Sequence, residues 1–146
     1  MLAERYGVAA ELWSVTSYKK LREEALAVER WNRLHPEAEP KVPLVTRLLA
    51  VSRGPVVAVT DFMHAVPDQV SRWVPRRLVT LGTDGFGRSD TRQALRRFFE
   101  TDADAVTIAT LAALAEGGEL EGALVADAIE RAGVDPDTAP PWVRDL

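Results

Sequence analysis

Residues 78–92, LVTLGTDGFGRSDTR, join a strand-like run to a helix through a polar turn, and the fold prediction begins from them. The first four residues are apolar and partly β-branched, which predicts a strand. Residues 83–92 then place two glycines, two aspartates and two arginines in one short connection. Asp90, followed three residues later by Gln93, predicts an N-capped helix rich in Phe and Arg.

Strand and helix patterns alternate outward from this turn. Residues 8–16 (VAAELWSVT) predict a strand with Trp13 on its inner face, and residues 56–61 (VVAVTD) predict a strand buried on both faces. Helices are predicted from about residue 18, over 44–50, from about 67 to 73, after residue 90, from residue 101 to 117, and from about 121 to 132. This alternation indicates the α/β class with a mostly parallel sheet.

Two observations predict that the first strand and helix of this fold are missing. Three strands are few for a parallel sheet, which is normally covered on both faces. The chain also opens on a segment typical of the last turn of a helix, with Gly7 as its stop. We expect one domain over residues 1–146, with a globular core to about residue 134 and a proline-rich tail over 135–146.

Composition argues against several classes of protein. The 146 residues are 47% hydrophobic and 27% charged, as expected for one globular domain. A net charge of −4 with scattered basic residues argues against nucleic acid as a partner. The chain has no cysteine, which excludes disulfides and thiolate metal sites, and no apolar run of about 18 residues that could span a bilayer. We expect a cytoplasmic protein that binds neither nucleic acid nor membrane.

Two loops are predicted beyond the carboxyl ends of the strands, where open parallel sheets bind ligands. One of these loops contains Asp61 and His64, and the other is the polar turn. A catalytic interpretation pairs Asp61 with His64 and draws a nucleophile from Thr60, Thr83 or Ser89. No Gly-x-Ser-x-Gly elbow supports that interpretation. We therefore assign no catalytic residue and expect Asp61 to cap the following turn and His64 to lie on the surface.

The polar turn also resembles a phosphate-binding loop, because glycines precede a helix. The dinucleotide fingerprint would need a third glycine at Asp90, and the lysine of a P-loop is absent. Asp84 and Asp90 would also repel a phosphate group. His35 and His64 lack the spacing of metal ligands. We predict no cofactor or metal ligand in this chain.

A protein interface explains the turn better than catalysis or phosphate binding. Gly85 and Gly87 permit a backbone with positive φ. Phe86 lies at the tip of the turn among charged residues, and exposed aromatic residues beside arginine are typical of interfaces. The predicted docking surface for another domain or subunit consists of Asp84, Gly85, Phe86, Gly87, Arg88, Ser89, Asp90 and Arg92, with Asp61 and His64 beside them.

Three strings of sequence carry a resemblance to a known family: residues 12–17 read LWSVTS, residues 29–36 read ERWNRLHP, and residues 81–92 read LGTDGFGRSDTR. In this order and spacing they resemble the C-terminal domain of the homodimeric-type pyruvate dehydrogenase decarboxylating component. The resemblance runs from about Gly7 to about Asp135. The third string also resembles the transketolase C-terminal domain.

The resemblance implies a three-layer α/β/α fold, similar to the transketolase C-terminal domain, within a much longer enzyme. In that family, the first two domains bind thiamine diphosphate and magnesium at a dimer interface and carry the decarboxylation chemistry. None of those ligands maps onto this chain, so we expect an assembly domain that binds no cofactor and lacks activity alone. The implied partners are the catalytic domains of the same enzyme, a second copy in a homodimer and, through the parent enzyme, the dihydrolipoyl acetyltransferase core.

One alternative to the assembly domain stays open. A free-standing regulatory α/β domain could bind a small molecule or anion through the loops at residues 61–64 and 83–92.

Overall fold

The computed structural model describes residues 1–144 and has an α/β architecture built on two parallel strands. Strand β1, Val56–Val59, pairs with strand β2, Leu78–Leu81, in a register that places Val56 opposite Leu78. The α-helices of the described chain are α1 (Leu2–Tyr6), α2 (Tyr18–Leu34), α3 (Leu44–Leu49), α4 (Ala65–Asp68), α5 (Arg92–Phe98), α6 (Ala103–Glu116) and α7 (Gly122–Ala132). Two 3₁₀ turns, Ser71–Trp73 and Pro141–Val143, complete the secondary structure of the described residues.

Helix α2 begins where the sequence predicts. The Ser17 hydroxyl accepts a hydrogen bond from the Lys20 amide at 3.2 Å and so caps the first turn. Its apolar stripe brings Ala25, which is fully buried, against Val45 of α3 and against Val70 and Trp73. These four residues form the core cluster on one side of the molecule.

Trp73 ties this cluster together through its polar atoms. Its indole Nε1 donates to Glu29 Oε1 at 2.8 Å, and its carbonyl accepts from the Thr46 hydroxyl at 2.6 Å. Arg72 forms an ion pair with the same Glu29 carboxylate. The hydrogen bonds from Arg72 and Trp73 hold the pKa of Glu29 below its ordinary value of 4.5. Trp73 is therefore a core residue, with 8% of its surface exposed.

The long alanine-rich helix α6 packs against both strands, and α7 packs against α6. Small side chains let α6 approach closely, and Leu111 and Leu114 are buried there. The N-cap of α6 is Asp102, whose carboxylate accepts from the Ala105 amide at 2.8 Å. The helix predicted from residue 101 therefore has its N-cap at Asp102, one residue later than the predicted start.

The predicted strand over residues 8–16 is wrong. This segment has no strand structure, and Trp13 is 53% exposed. Its expected inner face contains a glutamate, Glu11, whose carboxylate instead accepts from the Ser52 hydroxyl at 2.8 Å. Burying the Glu11 carboxylate would cost free energy of desolvation, so the face that contains it does not pack against the core.

Strand β1 is also shorter and more open than predicted. It ends at Val59, which is 41% exposed, and the strand is half-buried along the rest of its length. An apolar groove of about 680 Å³ runs between β1, α2, α3 and the extended segment at residues 11–17. Within the described residues no third strand fills this side of the sheet, so a strand buried on both faces is not formed.

Helix α5 has a different cap from the predicted one. The Thr91 hydroxyl accepts from the Ala94 amide at 3.2 Å, which makes Thr91 the N-cap. The Asp90 carboxylate instead accepts from the Thr91 amide at 2.7 Å. The predicted capping box of Asp90 and Gln93 is wrong because the helix begins one residue later.

Replacing Glu29 by Gln tests the tie between α2 and Trp73. Because the pKa of Glu29 is lowered in the folded state, its contribution to stability is present above the unfolded value of 4.5 and is lost as the pH falls through the folded value. We expect Glu29→Gln to lower the free energy of unfolding at about pH 7 and to have a smaller effect at about pH 3, where part of the contribution is already lost. Urea unfolding at both pH values measures this difference.

The control for this experiment is Glu37→Gln. Glu37 is exposed and makes no hydrogen bond or ion pair with any residue between 1 and 144, so its replacement should leave stability unchanged at both pH values. An equal loss at both pH values for Glu29→Gln would contradict the assigned charge interaction.

Candidate functional site

The two predicted loops do meet at the carboxyl edge of the sheet. The Thr60 amide donates to the Leu81 carbonyl at 3.0 Å, which extends the pairing of the strands by one residue. The Thr83 amide donates to the Phe62 carbonyl at 2.9 Å, and the Thr83 hydroxyl donates to the Asp61 carbonyl at 2.9 Å. Three hydrogen bonds therefore join residues 60–62 to residues 81–83.

Gly82 allows this close approach. A Cβ atom at this position would lie 2.7 Å from both the His64 amide nitrogen and the Phe62 carbonyl oxygen. Those are backbone atoms and cannot move away independently. Only glycine fits here. No pattern in the sequence predicted this requirement, because it is set by a segment about 20 residues away in the chain.

His64 pairs with Asp84 and not with Asp61. The Asp84 carboxylate accepts hydrogen bonds from the His64 ring nitrogen Nδ1 and, at 3.3 Å, from the His64 amide. Both side chains are only partly exposed. The catalytic interpretation, in which Asp61 would pair with His64, therefore has no support. His64 is half-buried, where the sequence predicted a surface residue.

The hydroxyls that could have served as nucleophiles have structural partners or lie apart from His64. Thr60 Oγ1 accepts from the Phe62 amide at 3.1 Å and so caps the turn in place of Asp61. Thr83 donates to a carbonyl, as described above. Ser89 makes no hydrogen bond to His64 or to any other residue of the described chain. The arrangement fixes two loops together and offers no activated nucleophile.

The C-terminal 3₁₀ turn folds back onto this site. The Trp142 ring lies edge-on to the His64 ring, with 6.2 Å between the centroids. Gly85 has a φ of 111°, and a Cβ there would lie 3.1 Å from Trp142 Cα. Arg144 holds the turn by donating to Glu100 Oε1 at 2.7 Å and to the Phe98 carbonyl at 3.3 Å. Trp142 is therefore folded back onto the joined loops.

The tip of the polar turn projects away from these contacts. Phe86 is 71% exposed, and Gly87 and Ser89 are exposed beside it. Arg88 lies over the Phe98 ring, 4.1 Å from its centroid. Gly87 does not have a positive φ, so of the two turn glycines only Gly85 uses that freedom.

Phe62 and Met63 add further exposed apolar surface at the same edge.

Within residues 1–144, histidine and acidic side chains do not gather in groups of three that could hold a metal ion. The helices of this part of the chain are also too short or too polar to cross a membrane.

Comparison with known proteins places the chain in a family. Residues 1–102 match the model of the transketolase-like TK C-terminal domain. The pyruvate dehydrogenase E1 component of Pseudomonas aeruginosa is 49% identical over 142 residues, and that of Escherichia coli is 44% identical over 142 residues. The E1 component of Mycolicibacterium smegmatis is 48% identical over 139 residues.

These alignments cover 95–97% of this chain but only 15–16% of each relative. The chain therefore belongs to the transketolase-like TK C-terminal domain family, and it spans about 16% of the length of the curated relatives it matches. The family resemblance inferred from the three sequence strings is confirmed.

Replacing Gly82 by Ala tests the steric basis of this site. We expect a loss of about 1–3 kcal/mol in the free energy of unfolding, because the added methyl group overlaps backbone atoms on the neighbouring loop. Gly87→Ala is the matched control, since a Cβ at Gly87 would meet nothing within 4 Å. Similar losses for the two variants, measured by chemical unfolding, would refute the close approach.

Proposed function

We propose that this chain is a non-catalytic assembly domain of a thiamine-diphosphate-dependent pyruvate dehydrogenase component. The parent reaction would be the oxidative decarboxylation of pyruvate with transfer of the acetyl group to lipoyl. The observation that carries the proposal is the similarity to pyruvate dehydrogenase E1 components along 97% of this chain and 16% of theirs. An alignment that covers almost all of this chain but only a small part of its relative is expected of one domain from a larger enzyme.

The geometry at the carboxyl edge of the sheet supports a non-catalytic role. The groups that could perform acid–base or nucleophilic chemistry are engaged in joining the loops: His64 with Asp84, and Thr83 with Asp61. None of the family's ligands for thiamine diphosphate or magnesium maps onto this chain. We therefore place both groups on the rest of the parent enzyme.

The exposed aromatic tip supports a role in assembly. Monomeric proteins seldom leave several large apolar side chains exposed at one edge, and such patches are typical of interfaces. Phe86, Phe62 and Met63 form this set here. The proposed partners are the catalytic domains of the same enzyme, a second copy in a homodimer and, through the parent enzyme, a dihydrolipoyl acetyltransferase core. The proposed location is the cytoplasm.

The test is complementation between two polypeptides. The E1 component of Pseudomonas aeruginosa would be produced without the segment that this chain matches, and this chain would be supplied separately. We expect the two to associate, as measured by sedimentation velocity. We expect Phe86→Ser to weaken the association at least about tenfold, as for a central interface aromatic.

Val51→Ser is the matched control, because Val51 is also an exposed apolar residue but precedes β1, at the opposite end of the sheet. Circular dichroism would establish that each polypeptide is folded. Failure of the folded polypeptides to associate would overturn the assembly role, and equal effects of the two serine variants would overturn the assignment of Phe86.

A further inference from the structure

The apolar groove of about 680 Å³ lies along the edge of β1 that faces away from β2. The extended segment at residues 11–17 forms its opposite wall, and side chains from α2, α3 and α6 also line it. Among the residues of its wall, only Glu11 and Lys19 are charged. The groove therefore suits an apolar occupant between two extended stretches of the chain.

Val57 and Val59 direct unpaired backbone groups toward this groove. The Val56 amide donates to the Arg77 carbonyl at 2.9 Å, and the Thr60 amide bonds to β2 in the same way. Successive residues of a strand direct their amides and carbonyls to alternate edges. The backbone groups of Val57 and Val59 therefore point away from β2, and they have no hydrogen-bond partner within residues 1–144.

The opposite wall is unpaired as well. The backbone amides and carbonyls of residues 9–16 form no hydrogen bond within the described part of the chain. Leu12, Trp13 and Val15 of this segment line the groove and are exposed. Two stretches with free backbone groups and apolar side chains thus border the same groove.

A peptide strand fits the groove better than a small molecule does. At the ordinary spacing of strands and layers, one strand residue occupies about 160 Å³, so the groove has room for about four residues. Strand β1 has the same length, four residues. A small apolar molecule would leave the backbone groups of both walls unpaired, whereas an added strand pairs with them, as in peptide recognition at sheet edges.

The connection at the start of the chain indicates where such a strand belongs. Helix α1 ends at Gly7, which adopts a left-handed φ of 64°, and the extended segment follows directly. Successive strands joined by a helix usually lie side by side in α/β sheets. A strand that leads into α1 would therefore lie next to residues 9–16, in the position of the groove.

We propose that the groove takes up one apolar strand of the parent enzyme, supplied by the segment that directly precedes the stretch that this chain matches. The strand pairs with β1 on one side and with residues 9–16 on the other, and so joins them into one sheet. The E1 component of Pseudomonas aeruginosa has chain to supply it, since the match covers 16% of its length. This inference rests on the proposed assembly role and adds a second contact to it, apart from the polar turn.

Residue-resolved hydrogen exchange tests the proposal. This chain would be mixed with the Pseudomonas aeruginosa E1 component that lacks the matched segment. We expect the Val57 and Val59 amides to exchange at least about tenfold more slowly in the complex, because each gains a hydrogen bond. A complex that slows exchange at residues 83–92 but not at Val57 and Val59 overturns the added strand and leaves the assembly role standing. Absence of any complex overturns both.

This chain alone provides the first control. A dimer in sedimentation velocity, with slow exchange at Val57 and Val59, would place a second copy in the groove and overturn the proposed source of the strand.

A shorter E1 component tests the source directly. It would also lack the roughly 30 residues that precede the matched segment, the length of one strand–helix–strand unit. Circular dichroism would establish that it is folded. We expect Val57 and Val59 to exchange in its presence as fast as in the free chain, while residues 83–92 stay protected. Slow exchange of Val57 and Val59 with the shorter polypeptide overturns the proposed source.

Val57→Pro blocks the pairing from the side of β1. Proline removes the amide that faces the groove and leaves the amides that bond to β2, and an edge strand tolerates proline at such a position. We expect the association to weaken at least about tenfold. Thr80→Pro is the matched control, because the Thr80 amide faces outward on the opposite edge, that of β2. Equal effects of the two folded variants overturn the proposal.

Val15→Glu tests the groove without a change to β1. Val15 is 41% exposed, so the free chain should tolerate glutamate there, but an added strand would bury the carboxylate at a cost of desolvation. We expect at least about tenfold weaker association. Val51→Glu is the control, since Val51 is exposed and does not line the groove. Equal association of the two glutamate variants overturns the site.

Discussion

The contact between Gly82 and the backbone of residues 62–64 is the constraint on which the edge of the sheet depends. A side chain at Gly82 would overlap the His64 amide and the Phe62 carbonyl. With glycine there, the two loops lie close enough for Thr83 to bond to Asp61 and for Asp84 to bond to His64. The C-terminal turn then packs on the joined loops. One missing side chain thus permits a network that spans the chain from residue 60 to residue 144.

This network also explains why an edge that binds ligands in many α/β proteins has a different role here. The polar groups nearest the strand ends serve to join loops, and the turn beyond them directs Phe86 outward. The resulting surface is rigid at its base and apolar at its tip, which suits docking better than catalysis.

Local patterns in the sequence predicted much of the fold. The β-branched runs at β1 and β2 and the capped stripe of α2 are local signals, and each element formed, although β1 is shorter and more open than predicted. The predicted strand over residues 8–16 did not form. A strand needs a neighbouring strand to pair with, and alternating side chains in the sequence do not show whether one is present. The caps of α5 and α6 were each placed one residue early, since Asp and Thr side chains at adjacent positions compete for the same role.

The candidate site depended more on tertiary contacts. Its place at the carboxyl edge followed from strand order, but the choice of Asp84 over Asp61 as the partner of His64 depends on how two distant loops meet. The requirement for glycine at residue 82 arises from packing in the same way. No local pattern around Gly82 distinguishes it from an ordinary turn glycine.

The central claim is that the polar turn is the surface through which this chain joins a larger enzyme. Hydrogen–deuterium exchange of the chain, alone and mixed with a Pseudomonas aeruginosa E1 component that lacks the matching segment, tests this claim most directly. We expect slower exchange at residues 83–92 in the mixture and unchanged exchange at residues 51–55. A complex that forms while exchange at residues 83–92 stays the same would contradict it.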